Sequence, residues 1–390
     1  YLEKEDVAYY QDIENGAFMT ARCVRRSNGQ CEIQINGNIQ IGDKMYDLEP
    51  SGADVTSRDF MEIPGLLGKR YDLKEQGNIQ MEMPVKNKDS IRNLVNYYVE
   101  VIVVTDSSIY DLFLSMATSP NPTEKEQEAK TRIRSYFLHV MNGVDLLYRG
   151  IEHPSMAISV IVRSLVVLQT QHEFQHTVSR VEVLAIGGAM INMKHYLEDL
   201  KQADVRIQNS GIPSYDQVIL FTKLMLHNGA EIRKFVNGHS VIGGICDLGR
   251  RVQICRMGDF FETVRTAAHE LGHALGAYHD GAAGASTCRA KDNYIMRSKI
   301  PVFVPDAPYS RNPWLFSKCS VKAFVGTVLS KSCLKSKGEY SQEELNEWAT
   351  TLSKQAGELF NPNDQCHIIN GPGSVYCGAD DFDPTPQHQC

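Results

Sequence analysis

Between Thr266 and Asp280 the chain reads TAAHELGHALGAYHD, in which three histidines and one glutamate have the spacing of a reactive metal site. Residues four apart on an α-helix share a face, so His269 and His273 project side by side and can offer two imidazole nitrogens to one ion. Gly276 lets the chain leave the helix through a positive-φ turn that residues with a Cβ disfavour, after which His279 returns to supply a third nitrogen. Three neutral imidazoles suit a tetrahedral Zn2+ and leave one corner for water. Glu270, beside the first ligand, is then placed to take a proton from that water and later to return it to a leaving amine. The chemistry implied is metal-assisted hydrolysis of a carbonyl compound.

A shorter version occurs upstream, where His172, Glu173 and His176 repeat the first half of the pattern. There Ser179 stands where the glycine is needed and Glu182 where the third histidine is needed, and strand-like runs flank the segment. It is read as a decoy.

Behind the motif, periodicity predicts the elements that must position it. Residues 97–106 (YYVEVIVVTD) form a β-branched run bounded by Asp106, which is a buried strand signal. From Thr123 to Tyr148, Ile133, Phe137, Val140, Val144 and Leu147 recur at three- and four-residue steps and put one apolar face on a long helix. Strands are expected over Ala157–Leu168, Gln217–Leu224 and, briefly, Ser240–Gly244, with helices near Asn192–Gln202 and over Phe260–Leu275. Residues 1–92 carry short alternating runs such as CEIQINGNIQI and are expected to be β-rich. The dibasic pair Lys69-Arg70 is a candidate processing bond, although two solvated basic residues are the commoner case. The fold class expected is α/β, a mixed and mostly parallel twisted sheet with an active-site helix.

Composition bounds the function. The chain of 390 residues is 42% hydrophobic and 22% charged, long enough for more than one structural unit. A net charge of -7 argues against nucleic acid or an anionic membrane as partner, since such surfaces attract basic stripes. The most apolar runs are too short to cross a bilayer. Ten cysteines, eight of them from Cys246 onward, read as disulfides of an oxidising, extracellular compartment. Tyr1 is not preceded by a recognisable export segment, which is expected to precede it in the longer protein.

The complete histidine pattern is that of the metzincins, and the sequence around it resembles their reprolysin branch, also called adamalysin or ADAM-type metalloproteases. In that branch an Asp follows the third ligand, as Asp280 does, and a methionine turn underlies the zinc, the role implied for Met296 in DNYIMRS. Residues 97–106 resemble the first catalytic strand, VIGGIC (241–246) the edge strand leading to a family cysteine, and residues 316–334 the C-terminal helix region. The resemblance implies zinc-dependent cleavage of peptide bonds, with disulfides Cys246–Cys333 and Cys288–Cys319 and with Cys255 lacking a partner. It also implies three parts: 1–92 as a propeptide portion, 93–335 as the catalytic domain, and 336–390 as the start of a disintegrin-like or Cys-rich module. Chains of this plan are most similar to secreted proteases of arthropod venom and saliva, made as zymogens and acting as monomers on extracellular proteins. The alternative is a receptor-binding toxin or adhesion module in which proteolysis is secondary.

Two departures from the family stand out. A Ca2+ site would use an acidic residue such as Glu100, but Met225 and Ser336 occupy positions where further ligands are expected. No recognisable cysteine-switch sequence exists; Cys23 and Cys31 are the candidates for a thiolate that would block zinc, and they suit a local disulfide equally well. The specificity pocket is expected to be walled by Ser298 to Val302.

Overall fold

The computed structural model describes every residue except 1–6, 13–16, 28–29, 42–43, 51–59, 62–70, 76–94, 171–180, 184–188, 209–213, 228–234, 299–311, 342–347, 349, 353, 355 and 377–390. For the strands before residue 76, for the elements from 181 to 197 and for residue 206 it describes backbone alone. The decoy histidines, the Lys69-Arg70 bond and all but Ser298 of the pocket wall lie outside the described residues. Two compact units emerge, Tyr1–Lys88 with Ser353–Asn361, and Asp89–Leu352 with Pro362–Cys390.

The first unit contains six antiparallel strands: β1 (Val7–Asp12), β2 (Ala17–Ser27), β3 (Gln30–Ile41), β4 (Lys44–Pro50), β5 (Phe60–Met61) and β6 (Tyr71–Glu75). They pair in the order β1-β2-β3-β4-β6-β5. Cys23 falls on β2 and Cys31 on β3.

The second unit is built on β7 (Val95–Thr105) and β8 (Met156–Val167), which pair in parallel. The run Val99 to Thr105 is buried throughout, as a central strand covered on both faces must be. Helices α1 (Ser107–Met116) and α2 (Pro122–Arg149) make the crossover that a parallel pair needs. Asp106 starts α1 by accepting from the Ser108 and Ile109 N–H groups. Asn121 starts α2 by accepting from the Thr123 N–H at 3.0 Å, with Pro122 in the first turn where its missing donor costs nothing.

Further strands are β9 (Val181–Val183), β10 (Ala189–Asn192), β11 (Gln217–Thr222), β12 (Met225–His227), β13 (Phe235–Val236), β14 (Gly238–Ser240) and β15 (Val252–Arg256). Helix α3 (Met193–Gln208) precedes β11. The main sheet runs β14-β15-β11-β7-β8, parallel except for the antiparallel pairing of β14 with β15. A smaller sheet runs β13-β12-β10-β9. Strand alternation decides what each face of the main sheet meets. Ile102, Val104, Val218, Leu220, Val252 and Ile254 pack with Leu200 and Ala203 of α3. On the opposite face Phe221 meets Phe137 of α2, ring centroids 4.6 Å apart. That second face also receives α4 (Phe260–Ala274). Among the described residues no helix is long and apolar enough to cross a membrane.

Candidate metal centre

Helix α4 is seated before it does any chemistry. Its first turn is capped by Asp259, whose Oδ1 accepts from the Glu262 N–H at 2.7 Å. Small residues let it approach its neighbours closely. Ala267 and Ala268 are fully buried, and a Cβ at Gly143 of α2 would sit 3.0 Å from the Val264 methyls. The Tyr148 hydroxyl of α2 donates to the Ala268 carbonyl at 2.9 Å, fixing the helix along its axis as well.

The end of α4 corrects one expectation from sequence. Residues 241–246 are not the edge strand; β14 ends at Ser240, and Val241 to Cys246 fold into turns with positive φ at Gly243 and Cys246. The physical reason is that the last carbonyls of a helix need donors. Gly243 N–H supplies one to His273 at 2.9 Å and Ile245 N–H one to Ala274 at 3.3 Å, which a strand could not do while pairing with β15. Gly276 then turns the chain at φ 92°, in contact with Thr327 of α5 (Lys318–Ser330), whose hydroxyl donates to the Leu275 carbonyl at 2.8 Å.

The three histidines converge. Nε2 of His279 lies 3.1 Å from Nε2 of His269 and 3.1 Å from Nε2 of His273. On the far side of each ring, His269 Nδ1 faces the Ile295 carbonyl at 2.7 Å and His273 Nδ1 faces the Ala277 carbonyl at 2.7 Å. A carbonyl oxygen can only accept, so each Nδ1 carries the proton and each Nε2 points a bare lone pair at the same spot. Burial, reinforced by the neighbouring imidazoles, holds His269 down at about 3 and His273 at about 4, and burial also lowers His279. All three are thus neutral at physiological pH. With His279 Nε2 set against both lone pairs, the three nitrogens converge as the donors to a single cation would. Nitrogens about 2.0 to 2.1 Å from a tetrahedral zinc lie about 3.3 Å apart, close to the observed separations.

Glu270 would suit a cation held at that spot. It is buried, burial alone pushes its carboxyl up to about 8, and its Oε2 has no hydrogen-bond partner among the described residues. An adjacent positive charge would favour the ionised form of such a group. Beside it lies Cys255, a free and fully buried thiol held well above its ordinary range by burial and then by the Glu270 charge.

Met296 is fully buried beneath the helix, and its Sδ occupies the space a Cβ at Gly272 would need, 2.6 Å from that position. The same turn supplies the Ile295 carbonyl to His269, and the Met296 carbonyl accepts from the Asp280 N–H at 2.9 Å. The Asp280 side chain accepts from Ser317, the residue that caps α5, at 2.6 Å. The loop after His279 is thereby tied to the Met296 turn and to the start of α5.

Two disulfides close this lower lobe, Cys246–Cys333 and Cys288–Cys319, and Cys366 is also disulfide-bonded. Asp216 lies close to the first pair, yet those sulfurs are bonded to each other and offer no thiolate to a metal. Glu100 belongs to no metal-ligating group among the described residues. Its carboxylate accepts from the Gly338 N–H at 3.0 Å and the Tyr340 hydroxyl at 2.5 Å, and Arg163 stacks over the Tyr340 ring. Sequence reasoning missed β15 and the roles of Thr327 and Ser317, which hold the ligand loop from far along the chain.

With this geometry in view, the family model described as Metallo-peptidase family M12, a reprolysin model, matches residues 95–311. A Bombyx mori protein named "A disintegrin and metalloproteinase with thrombospondin motifs like" is 27% identical over 68% of this chain and 36% of its own length. Venom metalloproteinase 3 of Eulophus pennicornis is 24% identical over 69% of this chain and 58% of its own. A human protein, "A disintegrin and metalloproteinase with thrombospondin motifs 20", is 25% identical over 77% of this chain and 14% of its own. The chain thus spans less than two thirds of each of these relatives. The family match covers more than half of the chain, and the chain belongs to metallo-peptidase family M12.

Proposed function

We propose that this member of metallo-peptidase family M12 is a secreted zinc endopeptidase that cuts peptide bonds of extracellular proteins, with Glu270 as its general base. One observation carries the reading: three imidazole Nε2 atoms converge beside a buried carboxylate that has no partner on Oε2 among the described residues. Zinc held by His269, His273 and His279 supplies positive charge that polarises a peptide carbonyl and makes water a stronger acid. Glu270 takes up the proton that water gives and passes it to the departing amine. Its burial keeps bulk solvent from competing for that proton.

The edge strand orients the substrate. Arg256 N–H donates to the Asn237 carbonyl, and the register continues through His239 opposite Ile254. Hydrogen-bonded and non-bonded positions alternate along an antiparallel pair, so Gly238 and Ser240 turn their N–H and C=O groups away from β15. Because β14 ends the sheet, an extended peptide can add there as a further strand.

The venom name of the Eulophus relative supports reading the chain as a venom or salivary toxin that acts as a monomer. It is made as a zymogen in which residues 1–92 are the propeptide portion, 93–335 the catalytic domain and 336–390 the start of a disulfide-rich module. The test is a mixed peptide library read by mass spectrometry. Cleavage that stops with a chelator and returns with zinc is expected. No cleavage by folded, zinc-loaded protein freed of residues 1–92 would overturn the reading.

A further inference from the structure

A buried side chain with no hydrogen-bond partner among the described residues is oriented by packing, and β14 packs closely against Glu270. A Cβ at Gly238 would lie 2.7 Å from Glu270 Cγ, 2.8 Å from Glu270 Oε1 and 2.7 Å from the Ile254 carbonyl oxygen. Carbon contacts have their optimum at roughly 3.5 to 4.0 Å, so no side chain fits there without displacing the strand or the carboxylate. Gly238 is not among the glycines with positive φ. What the position demands is therefore space, not backbone freedom. Directly opposite on β15 stands Cys255, small and fully buried, so both strands are thin where the carboxylate lies.

We infer that Gly238 is a positioning residue for Glu270: its bare backbone rests against the Glu270 side chain and fixes the carboxylate beside the three histidines. The inference rests on the reading of Glu270 as the base. The strand backbone that touches the base also turns its next open hydrogen-bonding groups to the substrate, so a single element sets the distance between the scissile bond and the group that moves its proton. A methyl group at this position would push the two apart, and displacements of about 1 Å can cost around a hundredfold in rate.

The test is Gly238→Ala, folded as the full chain and assayed for hydrolysis after residues 1–92 are cleaved off. Zinc content is expected to stay at one ion per chain, while kcat falls at least tenfold and KM changes several-fold less than kcat. A kcat within twofold of the unchanged protein would contradict the inference. Because the methyl also meets the Ile254 carbonyl, thermal midpoints are compared in two backgrounds, with Glu270 present and with Glu270→Ala. Gly238→Ala is expected to lower Tm by less than half as much once the Glu270 side chain is removed. Equal losses in both backgrounds would assign the glycine to the Ile254 contact alone and overturn the proposal. The Tm comparison needs no catalysis, so failure of the peptidase reading and failure of this inference give different results.

Discussion

Glu270 and Gly276 show how differently two residues of one motif serve it. Glu270 contributes a carboxylate, and replacing it by the isosteric amide keeps its volume while removing its basicity. Glu270→Gln is expected to retain zinc and lose at least about a hundredfold in kcat, the scale of general acid–base catalysis, as read by peptide hydrolysis alongside metal analysis. A rate within a few-fold of the original would assign the base elsewhere. Gly276 contributes only conformation. At φ 92°, with a Cβ position 2.8 Å from Thr327 Oγ1, Gly276→Ala combines left-handed strain of about 1 to 2 kcal/mol with a clash. Denaturant melts should show a loss of at least that size, together with weaker zinc retention because His279 is displaced.

Elements are held together by buried polar contacts as well as by apolar faces. Asp216 precedes β11, accepts from the Glu100 N–H of β7 at 2.8 Å, and has its carboxyl pushed up to about 7, chiefly by burial and also by the Glu100 charge. A folded-state value above the unfolded one means that the fold favours the protonated acid. That contribution is fully present below about pH 4 and is lost as pH rises through about 7. Asp216→Asn, which cannot ionise, should therefore gain in Tm relative to the parent between pH 4 and 7; a gap that stayed constant would remove the linkage. Dependence on distant partners also limits what sequence could reveal. The α4 motif and the long apolar stripe of α2 were legible because helical periodicity is local. The edge at β14 was misplaced by a few residues, and β15 was missed. Three- and five-residue strands carry too little alternation, and their identity depends on partners far along the chain. No local signal marks Ser317 as the partner of Asp280, or Tyr340 as that of Glu100.

In the molecule as a whole, the Cys246–Cys333 bridge joins residues separated by 87 positions, running from the turn that caps α4 to the segment beyond α5. Opening so large a loop removes roughly 2 to 5 kcal/mol. Replacing both cysteines by Ala should lower stability by that amount and weaken zinc binding; full retention of both would show that packing alone holds the lobe. Removal of residues 1–92 is expected to raise peptide hydrolysis, and an unchanged rate would count against the zymogen reading. The most direct test of the account is X-ray absorption at the zinc edge on the folded chain. One zinc per chain with three imidazole nitrogens at about 2.0 to 2.1 Å, reduced by His279→Ala, is the predicted result. Folded protein without stoichiometric zinc, or zinc bound through sulfur, would contradict it.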